Sequence, residues 1–137
     1  MLDNPQSLAG IITKHSSKSV AQTVDRLTRV IADRGFMLIR VTDHSGTAEQ
    51  VGVQMPNSKL VVFGKPTVGA AVMLAAPLAG LDLPLKVLVW EDGKGAVAVS
   101  YNAPEFLAER HNIEGALREH FDAVESIVEE VVGHNLS

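Results

Sequence analysis

Lys65, Thr67, Lys86, Tyr101, Arg110 and His111, with His44 as a further member, are the side chains whose types and spacing suit the capture of a small anion. Lys65 lies in Phe63-Gly64-Lys65-Pro66-Thr67-Val68-Gly69, a glycine- and proline-marked loop that leads into a helix. The start of a helix offers free N–H groups and the positive end of a dipole, and Lys65 adds a full charge there. The spacing of a Walker loop is missing, and the plainer reading is that Gly64 and Pro66 simply end a strand. Asp82-Leu83-Pro84-Leu85-Lys86 places two opposite charges where a strand begins. They either form the mouth of a cleft, or Asp82 caps a turn while Lys86 snorkels from the strand. Tyr101 and Arg110-His111 flank a turn and a short helix, and a guanidinium fork beside a phenol suits a carboxylate or phosphate. Alternatively Tyr101 closes the apolar face of a hairpin and Arg110 covers it.

Other chemistries find less support. The chain has no cysteine, which excludes disulfides, thiolate metal sites and thiol nucleophiles. Its five histidines, His15, His44, His111, His120 and His134, include no H-x-x-x-H or H-E-x-x-H pair. His15, His44 and His111 fall at element ends where they could converge, whereas His120 and His134 belong to the last helix and its tail. No metal and no cofactor are expected. No G-x-S-x-G elbow or Rossmann fingerprint appears, so catalysis would rest on His111 or His44 as a general base. Asp122, Glu125, Glu129 and Glu130 form an acidic patch late in the last helix, an unfavourable place for negative charge. It reads as a solvated face, with a partner or cation as the alternative.

These residues sit in a chain of 137 residues, 46% hydrophobic and 20% charged, with a net charge of −4. That length fits one domain over 1–137, with residues 1–9 expected to be loosely ordered. The acidic balance excludes a whole-domain footprint for nucleic acid. The first residues lack the basic and apolar pattern of an export signal. The most apolar stretch, 68–85, is broken by Pro77, Asp82 and Pro84, so no membrane span is expected and a cytoplasmic location is the default.

The elements follow from periodicity. A short strand is expected over Ile11–His15. Ser19-Val20-Ala21-Gln22 has the form of a capping box, followed by a stripe of Val20, Val24, Leu27 and Ile31 and a stop at Gly35. Strands are expected over Phe36–Val41 and Lys59–Phe63, with a short helix around Thr47–Val51 between them. Thr67–Ala76 suits a buried helix. Lys86–Glu91 and Ala96–Tyr101 flank Asp92-Gly93-Lys94-Gly95 as a hairpin. A four-residue loop would set Lys86 across from Tyr101, and a two-residue turn would set it near Val99. A last helix is expected from about Ile113 to Val132, with Ile113, Leu117, Phe121, Val124, Val128 and Val131 on its core face. The sum is an α+β fold: a mainly antiparallel sheet of about five strands, with two long helices and short connecting helices packed on it.

Val62-Phe63-Gly64-Lys65-Pro66, Leu83 through Asp92, and Ser100-Tyr101-Asn102, with Arg110-His111 and His44, together resemble the domain-of-unknown-function family numbered three hundred and two. The resemblance runs from the first strand to His111. The chain departs from the family pattern at Lys65, where Asn is usual, at Ala70-Ala71, and at Thr47. The resemblance implies a compact α+β domain, often a homodimer, and no established reaction. The expectation is therefore a homodimeric module that binds a small anionic molecule. The alternatives are a weak enzyme with a histidine base and a purely structural or interaction dimer.

Overall fold

Ser19 caps the first helix as the sequence predicts. In the computed structural model, which describes residues 8–133, its hydroxyl accepts from Gln22 N at 3.1 Å and its N–H donates to the Gln22 side chain at 3.1 Å. This helix, α1 (Val20–Asp33), closes on Gly35 at φ 80°, with Gly35 N donating to Ala32 O and Phe36 N to Ile31 O, both at 3.0 Å. That pair of bonds is a Schellman closure, and the left-handed backbone it needs favours glycine. The buried stripe includes Thr23, whose hydroxyl donates to Ser19 O at 2.7 Å and so can lie in the core.

The sheet contains β1 (Ile11–Ser16), β2 (Met37–Asp43), β3 (Ser58–Gly64), β4 (Leu85–Glu91) and β5 (Val97–Asn102). Its order is β1-β5-β4-β3-β2, and every neighbouring pair is antiparallel. The strands β2 to β5 thus form a meander, and β1 joins at the outer edge of β5. Short helices α2 (His44–Gln50) and α3 (Pro66–Ala75) connect β2 to β3 and β3 to β4, and α4 (Pro104–His111) follows β5. The closing helix α5 (Glu119–Val132) lies beside α1 over one face of the sheet. Leu27, Ile31, Val61, Phe63, Val87, Val89, Val99, Phe121, Ile127 and Val128 fill the space between, each essentially inaccessible to solvent. The expected looseness of residues 1–9 concerns, for 1–7, residues outside those described.

Three expectations are corrected. The hairpin takes neither anticipated register: Glu91 pairs with Val97 and Leu88 with Ser100, leaving a five-residue connection. Its geometry is set by Asp92, whose Oδ1 accepts from Lys94 N at 2.8 Å and Ala96 N at 3.0 Å, and by Gly95 at φ 89°. The last helix is not continuous from Ile113. Asn112 ends α4 in the left-handed conformation, Gly115 stands at φ 66°, and a 3-10 turn over Gly115–Arg118 leads into α5. Finally, α3 is not a buried helix. It buries only Gly69 and Val72, while Leu74 is 86% exposed. A helix that is apolar all round but packed along one side leaves the rest of its surface in solvent.

Candidate functional site

Four of the seven expected binding residues, Lys86, Arg110, His111 and Lys65, fall into two groups. The first is built on Asp82, which follows a 3-10 turn over Pro77–Leu81 and donates its own N–H to Ala79 O at 2.9 Å. The end of α4 delivers Arg110 and His111 to its carboxylate. Arg110 Nη1 lies 3.1 Å from Oδ2 and 3.3 Å from Oδ1, and His111 Nε2 lies 2.6 Å from Oδ2. The His111 side chain is only 5% exposed and that of Asp82 16%. Lys86 donates to the carbonyls of Pro84 at 2.8 Å and Asp82 at 3.2 Å, and partial burial holds its ammonium below the usual lysine value, against the pull of Asp82. Lys86, Arg110 and His111 do converge, therefore, but around an internal carboxylate and two carbonyls that already engage them.

The second group lies where β3 runs into α3. Lys65 is the N-cap of α3 and gives no side-chain cap, so the first N–H groups of the helix keep their donor capacity. Its ammonium sits 4.5 Å above the Phe36 ring, and no described carboxylate pairs with it. Beside it is a concave pocket of about 210 Å³, lined by Lys65, Ile39, Met73, Leu83, Pro84 and His120 together with the Gly64 and Gly69 backbone. His120, in the first turn of α5, is 5% exposed and stacks on Phe36 at 6.3 Å between ring centroids. No described residue hydrogen-bonds its imidazole. A Cβ on Gly69 would stand 4.0 Å from His120 Nε2, so the glycine keeps that side of the ring open.

Tyr101 and His44 join neither group. Tyr101 is 3% exposed and donates its hydroxyl to Glu125 Oε2 at 3.1 Å, toward α5. Burial, reinforced by Glu125, pushes the phenol well above its ordinary value. His44 is exposed at the start of α2, and Thr67 is exposed in the first turn of α3 outside the pocket lining. His15 and His44 belong to opposite edges of the sheet, and among the described residues no three of His, Asp and Glu converge on a point. The acidic residues of α5 act as internal partners: Glu129 binds Lys14 at 2.6 Å, Glu130 binds Arg34 at 2.6 Å, Asp122 faces Arg118 at 3.5 Å, and Glu125 takes Tyr101. Their charge ties α5 to β1, α1 and β5.

His120 is the site residue that sequence reasoning passed over. Its signal was present, because it stands four residues before Val124 and seven before Ile127, on the core stripe of α5. Burial and the nearby Lys65 hold its imidazole below the ordinary value of 6.5. The unfolded chain therefore takes up this proton first as acid is added, and folding stability contributed here falls as pH drops below about 6.5. We expect His120→Gln to flatten the fall of Tm in that range, and an unchanged slope would show that His120 does not contribute to it.

The architecture defines a class of protein: a five-stranded antiparallel sheet backed by two long helices, with polar groups gathered at the strand ends. The chain belongs to the family described as Domain of unknown function DUF302, whose pattern matches residues 12–131. A crystal structure of an uncharacterized conserved DUF302 protein from Bacillus stearothermophilus superposes with a TM-score of 0.75 at 20% identity, covering 91% of this chain and 97% of that one. Similar curated proteins include Fluoride-specific ion channel FluC 1 of Brucella suis biovar 1 and of Brucella abortus biovar 1, each 36% identical over 105 residues. These matches take in 77% of this chain but 41% and 39% of those proteins, so the chain spans about two-fifths of their length. Among the described residues no helix is long and apolar enough to cross a membrane.

Proposed function

We propose that this chain is a single-domain, cytoplasmic, homodimeric binding module for a small anionic molecule, held at the start of α3. The observation that carries the reading is Lys65, which pairs with no described carboxylate, beside the largely buried His120 imidazole, which no described residue hydrogen-bonds, both lining one pocket. The ammonium and the pocket-facing imidazole both have donor capacity there, and an anion could accept from both. The Asp82 group supports the reading less, because Arg110 and His111 already serve an internal carboxylate. The Brucella relatives are named as fluoride-specific ion channels, which agrees in the sign of the ligand's charge. Self-association is supported by Leu74, Leu78 and Leu81, which are 86%, 72% and 72% exposed along α3 and the following 3-10 turn.

Thermal denaturation in acetate, phosphate or fluoride tests the anion. At about a hundred times its dissociation constant a bound anion adds roughly 2.7 kcal/mol, and this gain should vanish in Lys65→Gln. Equal stabilisation of the two proteins would refute the site. Sedimentation of the native protein and of Leu74→Glu tests the dimer, which should dissociate in the variant. A monomer at all concentrations would remove the dimer from the reading.

A further inference from the structure

We infer that the ligand of the Lys65 pocket is a small amphipathic carboxylate, with its charged end between Lys65 and His120 and a short apolar tail against Ile39, Met73, Leu83 and Pro84. The inference rests on the anion-binding reading of this pocket and adds the chemical class of the ligand.

Volume is the first argument. At about 30 Å³ of liquid per water molecule, the pocket of about 210 Å³ is far larger than a halide or an inorganic oxyanion requires. The remaining space has room for a short chain attached to the charged group. Its walls say what kind: Ile39 and Met73 remain 44% and 38% exposed, and Leu83 and Pro84 face the same space. A hydrocarbon tail would remove this surface from water, which is the favourable direction. The count of charges is the second argument. Lys65 supplies a single positive charge, and His120 is held neutral by burial and by Lys65 itself. That balance matches a monoanion, whereas a dianionic phosphate monoester would bring an uncompensated charge to a largely apolar cavity. A neutral imidazole donates one N–H, and an ammonium donates to a second oxygen, so two donors meet the two oxygens of a carboxylate. The uncapped N–H groups of Thr67 and Val68 lie in the same first turn of α3 and add positive potential.

The test is a chemical-shift titration of the full chain at neutral pH with acetate, butyrate, hexanoate, butyramide and inorganic phosphate. Each added methylene should tighten binding about four-fold, so butyrate should bind about fifteen-fold more tightly than acetate. Butyramide, which keeps the tail but has no charge, should fail to bind. Resonances of the His120 ring should move. In Gly69→Leu the new side chain grows from the helix wall into the pocket, so butyrate binding should be lost while Lys65 and His120 both remain. Should His120→Gln fail to fold, Gly69→Leu and Lys65→Gln still decide the matter. Acetate, butyrate and phosphate binding with equal strength would overturn the ligand class and leave the anion site standing. Butyramide binding as well as butyrate, or no binding by any of the five, would overturn both.

Discussion

Phe63→Ala should lower folding stability by about 4 kcal/mol, read as a shift of the urea midpoint at unchanged slope. Phe63 is fully buried on the helix-facing side of β3, opposite Leu85 on the neighbouring strand. Its ring meets Phe36 edge-on at 5.8 Å between centroids, and Phe36 in turn carries His120 and Lys65. Truncation removes the transfer energy of the ring, leaves a cavity that a close-packed sheet cannot collapse to fill, and loosens the stack that holds the pocket groups. Because a domain of this kind has roughly 5–15 kcal/mol in total, such a loss should be evident in any unfolding assay. A loss below about 1 kcal/mol would show that the side chain is not packed as described.

Asp82→Ala should be the second largest effect, at roughly 2–3 kcal/mol. The carboxylate is the shared acceptor for Arg110 and for a His111 side chain that is 5% exposed. Removing it leaves the imidazole with a buried ring nitrogen and no acceptor, and releases the end of α4 from the segment that enters β4. Asp82→Asn keeps an oxygen for His111 but not the charge that Arg110 faces, so its loss should be smaller than that of Asp82→Ala. Urea unfolding of the two variants checks the order, and a larger loss in Asp82→Asn would contradict the assignment. Anion affinity should change little in either variant, because Asp82, Arg110 and His111 do not line the Lys65 pocket.

Much of the architecture was legible in the residues. The capping box at Ser19, the Gly35 closure, the alternation of Val97, Val99 and Tyr101, and the antiparallel hairpin are local devices whose physics acts over a few positions. The errors arose where local rules compete. Asp92 and Gly95 together chose a loop one residue longer than periodicity suggested, and Gly115 broke a helix whose apolar pattern continued through it. The apolar run of α3 predicted burial, yet only its contacts could show that Leu74 faces solvent. For the site, Lys65 was readable because a strand–glycine–proline–helix junction is a local signal. The partition of the cations was not: only tertiary placement shows that Asp82 engages Arg110 and His111 while Lys65 has no such partner among the described residues. His120 was hidden for the same reason, since its role depends on Phe36 and Gly69, far away in sequence.

The two basic groups are separated most directly by titrating butyrate into Lys65→Gln and Arg110→Gln and following chemical shifts in both. The predicted result is loss of binding in Lys65→Gln and an affinity within about twofold of the native protein in Arg110→Gln, as for a site with no shared partner. Binding retained in Lys65→Gln and lost in Arg110→Gln would contradict it and place the anion at the end of α4.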